Sequence, residues 1–368
     1  MTDTPPPFLE ELYKTIKQYD NKDAEEILQK IINGVKLTED ELEEAFYEVL
    51  PWISLSMLNK LYKRNKTKAE QEWEEISSVR LDLDSWGMVE NLEILPLIDA
   101  KTDNSDLKTE QGVSYLVKAD DTTILFDLGI NKERKHPSPL LHNMEVLGES
   151  VSDIDYIFIS HPHGDHCGGG MWTRENTFGL SAEQVDLSHV IAYTPTEMKH
   201  ETAKVKHITQ PMILGKGIAS IGPITQPMFF MDKTIEQALV INLKGKGLVI
   251  IVGCGHQSVS SIVERTENIV DKKVPIYAFI GGVHLPIPRF PGVNDWMEIP
   301  FYKFMGTRRP IWEPWSEKDV QDAIDSLKTR NVQVVSISAH DSSDESIEAF
   351  KKEFERFIDL RVGKPIVF

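Results

Sequence analysis

Between Ile159 and Gly170 the chain reads ISHPHGDHCGGG, which sets three histidines and one aspartate within six positions and follows them with three glycines. A buried structural histidine usually stands alone with one partner, whereas four ligand-type side chains this close have the pattern of a metal site. His161 and His163 are two apart on a loop leaving the apolar run DYIFIS, and Asp165 and His166 fall within reach of a second position. One loop can therefore serve two divalent ions. Imidazole plus carboxylate suits zinc first, with manganese, iron or magnesium as alternatives. Such a pair makes hydroxide available at neutral pH and stabilises charge on an attacked or departing oxygen, which fits hydrolysis of phosphoesters, lactones, thioesters or amides.

The elements around this loop read as two regions. Residues 1–88 form a helical extension: PFLEELYKTIKQY spaces its apolar residues by three and four, and TEDELEEAF opens with Thr38 and Glu41 in a capping-box pattern before Pro51 interrupts it. This extension carries no chemistry-bearing cluster and reads as a packing module, open to homo-oligomerisation. Residues 89–368 form the catalytic domain. VSYLVKADDTTILFDLG is a hairpin; ALVINLKGKGLVIIVGCGHQ supplies two strands and a loop bearing Cys254 and His256. Helical VSSIVERTENIVD, strand IYAFIGGVHL, helix SEKDVQDAIDSLKTR, strand VQVVSISAH and a closing helix over DESIEAFKKEFERFI follow. Hairpins come first and strand–helix alternation second, with ligand-type residues at strand ends, so the expected fold is a layered α/β sandwich. His136, His142, His189, His200 and His207 show no convergence.

These motifs resemble the metallo-β-lactamase fold superfamily. Its signature His-x-His-x-Asp-His is met by His161, His163, Asp165 and His166, and the resemblance implies an αββα sandwich from about Leu92 onward. ILFDLG looks like the first motif, whose aspartate, here Asp127, orients the metal-binding loop. VGCGHQ stands where the family places a bridging acid, and ISAHD looks like the last motif, whose histidine, here His340, ligates the second ion. EQGVSYLV, LLHNMEVLG, VGCGHQSVSSIVE and GGVHL are similar to the branch containing the dihydropterin–ribofuranosylaminobenzene phosphate synthases of methanopterin biosynthesis. The chain departs from that branch at Gly255, at Val283 and at HDSS, which lacks a final cysteine and glycine.

The ligand set implied is His161, His163 and either His256 or Cys254 on one ion, and Asp165, His166 and His340 on the other, with Asp165 orienting the attacking hydroxide. His256 is preferred over Cys254 because imidazole is the commoner ligand. The family's third histidine is absent, and Glu236 stands near its place. His284 is open to substrate contact.

Segment 286–316 is too long for a connection and too apolar for disorder; its tryptophans and Arg308 and Arg309 suit a lid over an anionic, aromatic substrate, although packing against the N-terminal helices fits the same residues. The expected activity is metal-dependent hydrolysis of a small, phosphorylated substrate, with a pterin-type transferase displacing diphosphate as the alternative and a nuclease or di-iron redox protein behind it. With 40 Lys+Arg against 58 Asp+Glu, the net charge of −18 argues against nucleic acid. Two cysteines, an N-terminus without an apolar core and no span-length apolar run favour a cytoplasmic protein without membrane contact.

Overall fold

The computed structural model describes residues 55–228, 232–287, 308, 309, 313 and 315–368. The expectations for residues 1–54, including the capping box at Thr38 and the break at Pro51, lie outside these, as does most of segment 286–316.

Alternating apolar residues make the expected first hairpin. Strands β2 (Ser114–Ala119) and β3 (Thr122–Phe126) pair antiparallel with Tyr115 opposite Phe126, and Asp120 takes the left-handed conformation in the turn, at φ 50°. They join β1 (Leu92–Ile98), β4 (Tyr156–Phe158), β5 (Ile191–Thr194), β6 (Lys204–His207) and β16 (Ile366–Val367) in one sheet of order β16-β1-β2-β3-β4-β5-β6. Pairing is antiparallel from β16 to β3 and parallel from β3 to β6.

A second sheet repeats this plan. Strands β7 (Met212–Gly215), β8 (Ile218–Ser220), β11 (Leu239–Leu243) and β12 (Gly247–Val252) are antiparallel neighbours. Strands β13 (Ile276–Gly281), β14 (Val334–Ile337) and β15 (Arg356–Phe357) extend β12 in parallel. Between the sheets, Ile94, Tyr115, Val117, Phe126 and Phe158 pack with Ile241, Val249, Ile251, Ala278 and Ile280. Helix α3 (Pro139–Leu147) covers the outer face of the first sheet. Helices α5 (Val259–Ile269), α6 (Glu317–Lys328) and α7 (Asp344–Glu353) cover that of the second. All six residues of β12, GLVIIV, are buried, as a strand covered on both faces requires. The architecture is the expected αββα sandwich.

Two local differences have physical causes. The closing helix ends at Glu353, before the expected FERFI turn, because Phe354 goes extended into the core and Arg356 and Phe357 pair with the edge of β14. The stretch 191–236 holds β5 to β8 and a hairpin of β9 (Ile224–Met228) with β10 (Asp232–Glu236), short strands whose apolar alternation is weak. Helix α1 (Leu55–Ser77) is continuous and packs on β9, β10 and α5, and Tyr62 donates a hydrogen bond to the carbonyl of Arg308 at 2.6 Å. Here the helical extension and the insertion meet. Among the described residues, no helix is long and apolar enough to cross a membrane.

Candidate metal centre

The ligand-type residues emerge just past the C-terminal ends of parallel strands: His161 after β4, Cys254 and His256 after β12, His284 after β13 and His340 after β14. Two main groups form there, and a third, Cys254 with His256 and His284, overlaps both. His161, His163 and His256 make one, and Asp165, His166, Cys254 and His340 make the other; within each, the potential ligand atoms lie within 4.8 Å of one another. The groups abut, with the His161 and His166 rings 4.1 Å apart.

Hydrogen bonds fix which ring nitrogen faces the centre. Asp127, fully buried after β3, accepts from the backbone N–H of Ser160 (2.7 Å), from its hydroxyl (2.6 Å) and from Nδ1 of His166 (2.7 Å). The Ser160 hydroxyl, having donated to Asp127, accepts from Nδ1 of His161 at 2.9 Å. A carboxylate thus sets the tautomer of one histidine in each group, leaving both Nε2 lone pairs inward. Asp99, after β1, does the same on the far side. It accepts from the Ser338 hydroxyl (2.5 Å), which lies 2.6 Å from Nδ1 of His340 and accepts from it. Tyr115 donates to the same carboxylate oxygen at 3.2 Å. For His163, Thr234 on β10 gives its hydrogen to the Met228 sulfur (3.2 Å) and takes Nε2–H (3.3 Å), so Nδ1 carries the lone pair.

These tautomers test whether cations fit. Nε2 of His161 and Nδ1 of His163 present lone pairs to each other at 3.0 Å. Nε2 of His166 and of His340 both face the Cys254 sulfur at 3.1 Å, and one thiol hydrogen can satisfy only one of them. His256, 4% exposed, has no hydrogen-bond partner among the described residues for either ring nitrogen. Converging unsatisfied lone pairs at this burial are repulsive alone and favourable around a cation. The residues fit bound divalent metal.

Charge follows the same geometry. Burial and the neighbouring histidines hold His161 and His256 well below the usual imidazole range, and burial brings His163 down to about 4, so these three are neutral and ready to ligate. Burial acts against charge on Asp165 too, but His166 beside it holds its carboxyl well below the usual range. His166 rises, despite burial, because Asp165 and Asp127 flank it, so without a cation its Nε2 takes a proton facing Asp165, which a bound ion would displace to free the lone pair. Burial, with Asp341 and Asp165 near, pushes the Cys254 thiol up; a bound cation would deprotonate it.

Close backbone approach explains two motif glycines. A Cβ on Gly253 would lie 2.1 Å from Ser160 Oγ and 3.0 Å from Asp127 Oδ2, and one on Gly282 would lie 2.1 Å from the Gly253 carbonyl. GCGH and GGVH therefore interlock against the Asp127–Ser160 pair.

Among the candidates read from sequence, His161, His163, Asp165, His166, His256 and His340 converge, and Asp127 orients two of them. Cys254 and His256, weighed as alternatives for one position, join different main groups, His256 with His161 and His163 and Cys254 with Asp165, His166 and His340, and they also stand together in the overlapping group with His284. Glu236 enters neither group. Its buried carboxylate accepts the backbone N–H groups of Cys254 (3.0 Å), Gly255 (2.9 Å) and His256 (2.8 Å), so it shapes the loop instead of ligating. Burial pushes it up to about 7 although those donors work the other way. Glu236→Gln turns an N–H donor toward the His256 N–H and should cost about 1–3 kcal/mol in a thermal melt; bound metal should be unchanged, which a ligand role would not allow. His284 packs its ring 4.5 Å from that of His256, and its backbone N–H donates to Asp341 at 3.2 Å. Arg308 and Arg309 lie over the Trp315 ring at 5.1 and 5.6 Å, and Arg309 pairs with Asp319 at 2.9 Å. Neither arginine is in the two ligand groups. His136, His142, His189, His200 and His207 bond locally, outside the centre.

The sequence reading missed Asp99, Ser160, Ser338 and Thr234. A signal existed for the serines: each ends an apolar strand just before a ligand histidine, in ISH and ISAH.

The Metallo-beta-lactamase superfamily model matches residues 107–270, a stretch that includes Asp127, the histidine-rich loop and His256. The solved structure of Tm1679, a metal-dependent hydrolase of the beta-lactamase superfamily, shares the fold, with a TM-score of 0.50 at 18% identity over 75% of this chain and 98% of that one. Among curated relatives, the 7,8-dihydropterin-6-methyl-4-(beta-D-ribofuranosyl)-aminobenzene-5'-phosphate synthase of Methanocaldococcus jannaschii is 26% identical, covering 54% of this chain and 79% of its own. The anti-Pycsar protein Apyc1 of Paenibacillus sp. (strain J14) is 27% identical over 35% of this chain and 62% of its own.

Proposed function

We propose that the protein is a two-metal hydrolase of a small, phosphorylated substrate. The observation that carries this is the pair of abutting ligand groups, His161/His163/His256 and Asp165/His166/Cys254/His340, with lone pairs turned inward. Divalent ions held there supply Lewis acidity and an activated water. The thiol among the donors favours zinc over manganese or magnesium. Asp165, partly exposed and ionised, stands at the open side, where it can orient a water or take its proton. The His284 backbone, at φ 47°, is held by Asp341 beside His256, which leaves its ring at the edge of the centre where it can meet a substrate oxygen. The burial of both cysteines is compatible with a reducing, cytoplasmic setting.

A transferase displacing diphosphate is the second reading, favoured by the similarity to the Methanocaldococcus synthase. Metal content by mass spectrometry on protein purified without added metal tests the shared premise. The expected result is about two zinc ions per chain, falling to about one or fewer in Asp165→Ala. Metal-free protein in both samples would remove the proposal. Phosphoester hydrolysis against diphosphate release then separates the readings.

A further inference from the structure

A cavity of about 570 Å³ lies between α1, β9 and α5, beside the metal-binding loops and outside both ligand groups. Its wall includes Arg265, on the helix that begins directly after His256, and Arg308. Arg265 is 1% exposed, yet its Nε and Nη1 have no hydrogen-bond partner among the described residues. The Trp73 ring covers the guanidinium at 4.2 Å, and a ring face cannot satisfy in-plane N–H donors. Arg308 makes no ion pair with a described residue, and its guanidinium lies over Trp315. Burying a guanidinium without an anion is among the costliest things a fold can do; Arg265 is in that position, and the partly buried Arg308 stands on the same cavity wall.

We propose that this cavity binds a phosphate-class anion, held by the N–H edges of Arg265 and Arg308. Ser261, one turn before Arg265 on the same wall, adds a hydroxyl. Planar guanidinium forks match phosphate oxygens bidentately. Acidic side chains also line the cavity, but Glu70 and Glu74 are exposed and Glu72 and Glu313 partly so, which leaves their charge screened by water, whereas Arg265 is desolvated. Arg308 also lines a smaller recess with Ser258, Val283 and Leu285, next to His256 and His284. A phosphate seated on the arginines could thus belong to the metal centre's own substrate or to a separate effector.

The test is calorimetric titration of the purified, metal-bearing protein with inorganic phosphate, in the native sequence and in Arg265→Gln, Arg308→Gln and Asp165→Ala. One binding event should survive Asp165→Ala and weaken by roughly tenfold or more in each arginine variant, at unchanged metal content. Arg308→Gln guards against the case in which Arg265→Gln merely loosens α5. Phosphate binding that vanishes in Asp165→Ala and persists in both arginine variants would place the anion on the metals and overturn the proposal. So would no binding at all to the native protein. Neither outcome touches the metal count that tests the hydrolase. Given a turned-over phosphoester, competitive inhibition by phosphate would mark a substrate pocket and non-competitive inhibition an effector pocket.

Discussion

Asp127→Asn should leave a folded protein that has lost metal at both positions. The substitution keeps size and shape, and the amide oxygen can still accept the Ser160 backbone N–H, now made at 2.7 Å. What changes is the other atom. Asp127 Oδ2 accepts from the Ser160 hydroxyl and from Nδ1 of His166, and an NH2 there offers hydrogens to both. His166 must then accept at Nδ1, which places its remaining proton on Nε2, the atom facing Cys254 and Asp165. A protonated nitrogen cannot ligate. The Ser160 hydroxyl also loses its acceptor, so its contact with His161 no longer fixes that ring. Mutation of a group that orients a ligand typically costs ten- to a hundred-fold in metal affinity, and here one carboxylate serves a histidine in each group. The expected combined loss in a chelator competition is therefore about a hundred-fold or more at the His166 position, and about tenfold at the His161 position. A variant that keeps two ions at native affinity would show that Asp127 only packs.

How legible this centre was in the sequence depended on the kind of interaction. The HxHxDH loop could be read because ligands close in sequence are close in space whatever the fold. His256 and His340 could be placed because strand ends in an α/β layer converge. The choice between Cys254 and His256 was not decidable from spacing, since residues two apart on a loop point where the backbone sends them. That direction comes from Glu236, whose carboxylate gathers three successive N–H groups, and from Gly253 and Gly282, whose missing Cβ atoms let the loops interlock. Glu236 itself shows how a residue type misleads. An acid near a metal site invites a ligand role, yet its partners are backbone atoms, which leave no mark in the sequence. The sandwich followed from periodicity where strands are long, as in GLVIIV, and not where they are short and half-exposed, as in β6. The end of α7 was set by the edge of β14, a contact far from local propensity.

The contrast between Asp127 and Asp99 yields the sharpest expectation for the number of ions. Both carboxylates are fully buried, and each passes its acceptor through a serine hydroxyl to the Nδ1 of a ligand histidine. Asp127 reaches one histidine in each group, directly and through Ser160, whereas Asp99 reaches His340 alone. Asp99→Asn should therefore weaken one position and spare the other. Its amide oxygen can still take the backbone N–H groups of Ala100 (2.7 Å) and Ala339 (3.2 Å), so the strand end stays in place. Its NH2, though, confronts the Ser338 hydroxyl and the Tyr115 phenol, both donors in the native protein. Ser338 then turns its hydrogen toward His340, Nδ1 becomes the acceptor, and Nε2 meets the Cys254 sulfur as N–H instead of lone pair. Mass spectrometry at limiting metal should count about one ion per chain, and competition should show the His161/His163/His256 position within a few-fold of native, because no bond of Asp99 reaches it. Ser338→Ala should follow the same pattern with a milder loss, since it removes the relay without supplying the wrong donor. If Asp99→Asn emptied both positions together, the two ions would be bound as one cooperative unit through Cys254 and the carboxylates would not be independent; equal loss from Asp99→Asn and Asp127→Asn would be the signature of that coupling.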